Sequence, residues 1–381
     1  MDHHYDIAII GMGCAGSHVV LELLRRNVNK KVVVIDHYSK PAITKTWSYW
    51  EKEAGHWDHL IYKRWNKAWF KTSQESLELN VTPYNYKSIN SNDFTAFAKA
   101  ELEQSSYFTF IDATVDGVHR DHDTHHYLSF NDGADHCTAN LVLDSRIDPQ
   151  FFEDTKAVTL KQHFKGWVIE TKTDHFDPDR FTMMDYSLMD PGTTSFTYVL
   201  PFNKNRALVE FTYFSPDLVG DEVYESYLKK YISDQLNISD YKILEVEQGI
   251  IPMSTYDFTK HHSEFHFKIG TAGGWVKPST GYSFKSSEKK AAILVDNYLH
   301  ERPLTQNMHP KKATIYDATL LEVLYHNNAT GHKVFYKMYK KNNLPDLLKF
   351  LDEETSLPED VSIMIHMTSI SFVSAFIKQL F

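Results

Sequence analysis

Apolar positions at the start of the chain switch from a strand-like run to a helical period and back. "YDIAII" (5–10) is a short apolar strand, "SHVVLELLRRN" (17–27) repeats its apolar residues at helical spacing, and "KKVVVID" (30–36) is a second apolar strand. That order predicts a βαβ unit. "SNDFTAFAKAELEQ" (91–104) reads as a capped amphipathic helix with Ser91 or Asn92 as N-cap. Short strands are expected at 107–112, 114–119 and 126–130, and a buried one at "TANLVLDSR" (138–146). From 157 to 215 the pattern is dominated by strands: "LKQHFKGWVIET", "FTMMDYSL" and "TSFTYVLPFNKNRALVEFTYFS", the last broken by an "NKN" turn (203–205) that suggests a hairpin. A helix follows over 221–236, then a buried strand that ends in glycines, "FHFKIGTAGGW" (265–275), and mostly helical sequence after 305.

This order implies an α/β protein with a discontinuous Rossmann-like domain over 1–150 and 245–300. A β-rich domain would cover 151–244 and a helical C-terminal region 301–381. Strands near 138–145 and 265–270 should rejoin the first sheet.

One position breaks the apolar pattern. Glu210 sits in the middle of "RALVEFTYFS" (206–215). It is either a solvated residue on an edge strand or a carboxylic acid held in an apolar cavity for proton chemistry. The ten residues alone leave both open.

The clearest chemical signal is the loop between the first strand and helix. Gly11, Gly13 and Gly16 fit G-x-G-x-x-G, and Asp36 ends the next strand. In this strand–loop–helix context the pattern marks a dinucleotide site. The first glycine permits the turn, the second lets backbone approach a pyrophosphate, and the third lets helix and sheet pack closely. Asp36 would accept hydrogen bonds from the adenosine ribose. A second glycine cluster, "IGTAGGWVKPSTGYSF" (269–284), follows the late strand. A glycine unit at the extreme N-terminus, a long β-rich insert and a late glycine cluster fit FAD rather than NAD. Gly270, Gly273 and Gly274 would let backbone approach the cofactor, Pro278 and Gly281 would form a turn, and the helix after Ser283 would point its positive end at the flavin.

Composition narrows the partners. A net charge of −10 with no basic run argues against nucleic acid. Two cysteines without metal-like or redox-like spacing fit a reducing compartment. No stretch of 18 uncharged apolar residues and no signal-like start are present, so a cytoplasmic location is the default. "HRDHDTHHY" (119–127) reads as a solvated turn, so no metal is expected.

Taken together, "DIAIIGMGCAG" (6–16), "KTWSYWE" (45–51), "LVLDSRI" (141–147), "LKQHFKGW" (160–167), "MMDYS" (183–187), "FTYVLPFNKNRALVEFTYFS" (196–215), "EQGIIPMS" (247–254) and "GTAGGWVKPSTGYSF" (270–284) resemble the lycopene cyclase family of carotenoid biosynthesis. That family is a branch of the FAD-dependent hydroxylase-like flavoproteins. Ile147 stands where the resemblance leads one to expect glycine. The resemblance implies closure of the linear ends of lycopene to β-ionone rings, giving β-carotene by way of γ-carotene. The reaction would use FAD, in its reduced form, with NAD(P)H as reductant and no net redox change. Glu210 falls on the family's catalytic glutamate. The cofactor positions on this reading are Gly11, Gly13, Ala15, Gly16, Asp36, Asp144, Gly270, Gly273, Gly274, Pro278, Gly281 and Tyr282.

Such a reaction needs a proton donor, stabilisation of a carbocation, and exclusion of water. Asp185, in a similarly apolar strand, would orient Glu210, take the final proton, or serve only as a structural hydrogen-bonding group. Trp47, Trp50, Phe164, Trp167 and Tyr198 are candidates to line the substrate site and offer aromatic faces to the cation, or each is an ordinary core residue. A C40 hydrocarbon substrate implies peripheral membrane contact. The apolar tail 361–381 is either a membrane-touching helix or a core-packed one. The rival readings are a monooxygenase or prenyl reductase of the same fold, and a non-catalytic isoprenoid escort protein.

Overall fold

A computed structural model describes residues 4–37, 44–121, 125–366 and 370–380. The chain runs through β1 (His4–Ile10), α1 (Cys14–Arg25), β2 (Val32–Asp36), β3 (Thr46–Glu51), β4 (Ile61–Trp65), β5 (Lys67–Thr72), β6 (Ser76–Asn80) and β7 (Asn85–Asn90). Next come α2 (Ser91–Glu103), β8 (Phe108–Asp112), β9 (Val115–Asp121), β10 (His125–Phe130), β11 (Asp135–Asp144) and the short α3 (Gln150–Glu153). The second half holds β12 (Thr159–Glu170), β13 (Arg180–Tyr186), β14 (Thr194–Pro201), β15 (Arg206–Ser215), α4 (Asp221–Asp234), β16 (Lys242–Ser254) and β17 (His266–Lys268). It closes with α5 (Phe284–Leu299), α6 (Lys311–His326), α7 (Gly331–Lys341), α8 (Leu344–Leu351), α9 (Leu357–Ile365) and α10 (Ile370–Leu380).

Three sheets form among the described residues. In the first, β8, β2, β1 and β11 are parallel neighbours, and β17 pairs in parallel with β11. The antiparallel strands β10 and β9 extend this sheet beyond β11. The apolar runs of β1 and β2 are buried on both faces, as parallel strands under helices require. Both the 138–146 and the 265–270 segments join this sheet, as the pattern predicted. The histidine-rich segment 119–127 falls at the β9–β10 connection, where residues 122–124 lie outside the described set.

The second sheet has the order β16-β12-β15-β14-β13-β5-β6. Its strands β5 and β6 come from before residue 150, and β16 spans the boundary placed at 245. The expected domain limits therefore do not separate the sheets. The parallel β5–β13 pairing joins residues more than a hundred positions apart and leaves no local trace in the sequence. A third, three-stranded sheet, β3-β7-β4, packs on α5 through Tyr49 stacked on Phe284 at 4.8 Å. The N-cap of α2 is Asn90, whose side chain accepts from the Asn92 and Asp93 N–H groups, one residue earlier than expected.

Strand β15 lies between β12 and β14. It is central, so the edge-strand reading of Glu210 does not hold. Leu208 and Phe214 pack toward Leu321, Leu324, Phe335 and Met338 of the C-terminal helices. Ala207, Val209, Phe211 and Tyr213 pack on the other face against Leu228, Tyr231 and Ile232 of α4. This alternation puts Glu210 on the face that looks toward the C-terminal helices. In the tail, α10 packs on α6 and buries Ala375, while Val373 and Ile377 remain exposed. Among the described residues no helix is long and apolar enough to cross a membrane.

Candidate active site

The cofactor end of the site begins where β1 stops. Gly11 takes φ +88° there. The Asp36 carboxylate ties this loop to the end of β2, accepting the Met12 N–H at Oδ2 and the His37 N–H at Oδ1, both at 2.8 Å. A Cβ on Gly16 would lie 2.0 Å from the Gly11 carbonyl oxygen, so only glycine lets α1 pack this close. A Cβ on Gly13 would meet nothing within 4 Å. Beside it, α1 starts without a side-chain cap, which leaves its first-turn N–H groups for a ligand.

The late cluster meets the early one at Gly270, whose α-carbon faces the Ala15 methyl. Gly273 is a packing residue, because a Cβ there would lie 2.3 Å from the Lys268 carbonyl oxygen. Gly274 and Gly281 take left-handed conformations in the turns that lead to α5. Helix α5 also starts without a side-chain cap. Both uncapped helix starts open into one cavity of about 460 Å³, which Gly13, Ala15, Gly16, Gly270, Gly281 and Tyr282 help to line. The uncapped start of α1 and the open backbone at Gly13 fit a dinucleotide's phosphates. Pro278 lines a neighbouring cavity instead.

Asp144 is a correction. It is fully buried and accepts from Arg146, from Lys268 Nζ at 2.9 Å and from His266 Nε2 at 3.1 Å. Burial alone would raise its carboxyl. The hydrogen bonds from His266 and Arg146 and the Lys268 charge outweigh that and hold it well below the usual carboxylate range. Its partners are protein groups, the Lys268 and Arg146 cations among them, so it acts as an internal brace between β11 and β17. Asp144→Asn is expected to cost about 3 kcal/mol or more, because it leaves these cations without their anion. The contribution of a depressed carboxyl is complete above its unfolded pKa, near 4, and is lost as pH falls further. Urea melts from pH 7 to pH 3 should show a constant gap between wild type and variant that begins to narrow below about pH 4.

At the other end of the same cavity, one row of residues crosses the second sheet. Gly166 on β12 pairs with Glu210 on β15 and with Glu247 on β16, and Tyr198 on β14 pairs with Glu210 from the far side. Glu210, Glu247 and Tyr198 all line the cavity. Glu210 Oε1 accepts from Thr212 Oγ1 at 2.7 Å. Glu247 Oε2 accepts from the Thr46 N–H at 3.1 Å and Thr46 Oγ1 at 3.0 Å. Burial pushes the Glu210 carboxyl up to about 7, and burial together with the neighbouring Glu210 charge pushes Glu247 well above its ordinary value. The pair therefore retains a proton near neutral pH.

Aromatic side chains surround this end. Trp47, Phe164 and Tyr198 line the cavity. The Phe164 ring lies over Gly249, where a Cβ would come within 2.7 Å of it. The Tyr198 hydroxyl donates to Tyr86 at 2.6 Å, and Tyr86 bonds Tyr282 at 2.8 Å. Trp50 faces an adjacent cleft, donates to Asp352 at 2.7 Å and meets Tyr282 edge-on. Trp167 follows Gly166 and so points to the opposite face, where it is buried against the α4 core. Asp185 is also on that face, accepting from Tyr231 of α4 at 2.7 Å. The sheet separates Trp167 and Asp185 from Glu210, which corrects the expectation that they share its cavity. Glu247, Tyr86 and Gly166 were not picked out from sequence, although "EQG" and "KGW" both lie in the segments that carried the resemblance.

This is the architecture of FAD-dependent hydroxylase- and reductase-type flavoproteins. A geranylgeranyl bacteriochlorophyll reductase-like protein from Thermoplasma acidophilum matches with TM-score 0.63 at 12% identity, covering 99% of both chains. A flavoprotein/dehydrogenase from Cytophaga hutchinsonii matches with TM-score 0.65 at 13% identity, covering 98% of this chain and 99% of that one. A single-residue mutant of the halogenase PltM, in complex with FAD, matches with TM-score 0.61 at 13% identity, over 98% of this chain and 90% of that one. Within this class the family is specific: residues 6–377 match the family described as "Lycopene cyclase protein", and the chain belongs to it. A lycopene beta-cyclase of Paracoccus sp. (strain N81106 / MBIC 01143) is 23% identical over 303 residues, which cover 76% of this chain and 73% of that protein.

Proposed function

We propose that the protein is an FAD-dependent lycopene beta-cyclase that closes the linear ends of lycopene into β-ionone rings without net redox change. The observation that carries this reading is a buried, proton-retaining carboxyl, Glu210, facing the same cavity into which both glycine clusters open. The Glu210 carboxyl delivers a proton to the terminal double bond. The resulting cation is attacked by the neighbouring double bond, and loss of a ring proton completes the isomerisation. The faces of Trp47, Phe164 and Tyr198 stabilise the cation by about 1–2 kcal/mol each when desolvated. The apolar lining keeps out water, which would trap the cation as an alcohol.

Cys14, Ala15 and Gly16 at the start of α1, with Gly270 and the start of α5, would hold FAD, which in reduced form would supply negative charge to the site. NAD(P)H is the proposed reductant, needed catalytically and not once per ring. Peripheral membrane contact from the cytoplasmic side would suit the substrate. Leu357, Val361 and Ile365 along α9, with Val373 and Ile377 on α10, form an exposed apolar surface of the kind that enters a lipid interface.

Expression in lycopene-accumulating cells tests the reading. Cyclic carotenoids, γ-carotene and then β-carotene, are expected in the extracted pigments. Unchanged lycopene in the presence of folded, flavin-loaded protein would overturn it. Consumption of one nicotinamide per product would point to a reductase or monooxygenase of this fold.

A further inference from the structure

Two glutamates in one row of a buried sheet need an explanation. Glu210 is 8% exposed and Glu247 is 7% exposed. The groups that act on them are hydroxyls, a backbone N–H and each other, with no cation among them. A structural role would be filled at lower cost by apolar residues, since unpaired buried carboxyls are destabilising.

The local geometry is arranged to bring the two together. Gly166 stands between them in the row, and a Cβ there would lie 3.3 Å from both Glu210 Cβ and Glu247 Cγ. The absence of a side chain at 166 lets the two carboxyls lean toward each other within hydrogen-bonding reach. Each has one oxygen already engaged, Oε1 of Glu210 by Thr212 and Oε2 of Glu247 by Thr46. Those bonds engage neither Glu210 Oε2 nor Glu247 Oε1, which leaves room for a proton between the two carboxyls. From the other elements around the cavity, Tyr198, Tyr86 and Tyr282 line it with the pair and Lys45 lies in the wall, while the exposed Tyr62 outside it feels the Glu247 charge. Burial raises the phenols of Tyr86, Tyr198 and Tyr282, so none of the three titrates near neutrality.

We propose that Glu247 is a second acid–base group of the site, so that the Glu210–Glu247 pair, sharing one proton, protonates the alkene and recovers a proton from the ring cation. This deepens the cyclase reading and rests on it. In the first step a carboxyl O–H bond breaks and a C–H bond forms at the inner carbon of the terminal alkene, whose π pair is consumed and whose outer carbon becomes the cation. The next double bond gives its π pair to the new ring C–C bond. A ring C–H bond then breaks, its electron pair becomes the ring double bond, and its proton returns to the carboxylates. The hydrogen count is unchanged. Between these steps two carboxylates face the cation, so the pair is most strongly favoured when the positive charge is present.

Glu247→Gln in the flavin-loaded protein is the test, with wild type in parallel. If wild type makes no cyclic carotenoid, the cyclase reading itself has failed. If wild type is active, Glu247→Gln should lose about 10²-fold or more of its rate while keeping its flavin and melting no lower than wild type. Glu247→Asp should recover part of that loss. The wild-type pH profile should be bell-shaped, as one shared proton requires, and the Glu247→Gln profile should show a single ionisation. A near-normal rate with an unchanged bell would overturn the proposal. Should Glu247→Gln fail to fold, Thr46→Val removes a hydroxyl donor to Glu247 and none to Glu210. Loss of that donor raises the carboxyl pKa, so the profile should move to higher pH, and an unmoved profile would likewise overturn the proposal.

Discussion

Glu210→Gln is expected to abolish ring closure while the protein folds and keeps its flavin. Glutamine matches glutamate in size and can still bond Thr212, so β15 should keep its place between β12 and β14. It has no carboxylic proton to give. Loss of general acid catalysis alone costs roughly 10²–10⁴-fold, and more where no second route supplies the proton. Stability should move the other way. A carboxyl raised by burial destabilises the fold progressively as pH rises from its unfolded pKa, near 4, toward about 7. The variant carries no such penalty, so thermal melts should show it gaining on wild type over that interval. Pigment analysis combined with melts at several pH values checks both halves. A variant that cyclises at near-normal rate would remove Glu210 from the chemistry.

Flavin binding should separate from folding at two glycines only three residues apart. Gly13 has φ −69° and ψ −160°, an extended conformation open to valine, and a Cβ there meets no protein atom within 4 Å. Gly13→Val should therefore fold, with apo stability changed by no more than about 1 kcal/mol. Its side chain would project where backbone must approach a pyrophosphate, so flavin affinity should fall by about tenfold or more, or ~1.4 kcal/mol upward. Gly16→Val drives a side chain into the Gly11 carbonyl and should lose soluble protein outright. Flavin absorbance of the purified variants, read beside circular dichroism, distinguishes the two. Full flavin occupancy in Gly13→Val would mean that this loop does not cradle the cofactor.

The parts of the site that could be read from sequence are those built from contiguous residues. The glycine loop, its strand and its helix lie within one short segment, and their spacing encodes a turn and a close approach that few other sequences need. Glu210 was conspicuous because it interrupts an apolar run, yet its burial depended on β12 and β14 lying on either side. Asp185 and Trp167 show the limit. Alternation tells which residues of one strand share a face, and says nothing of which face bears the cavity. Trp167 is one residue past Gly166 and so points away from the pair. Strand β13 carries a register irregularity between Thr182 and Asp185, which a regular alternation would not reveal.

By itself, the sequence determined the α/β class, the nucleotide loop, the family and one catalytic candidate. Each of these is written in local spacing or in a combination of short motifs. Only the tertiary structure decided the rest. It placed β5, β6 and β16 in the second sheet, made β15 central and turned Asp144 into a brace among cations. It also set Glu247 across Gly166 from Glu210. The physical reason is register. Which strands pair, and at which residue, is selected by the summed burial of whole faces, and a one-residue slip would send every side chain of a strand to the opposite side. Glu247 and Glu210 meet because three strands distant in sequence align at one glycine, and no single strand carries that alignment.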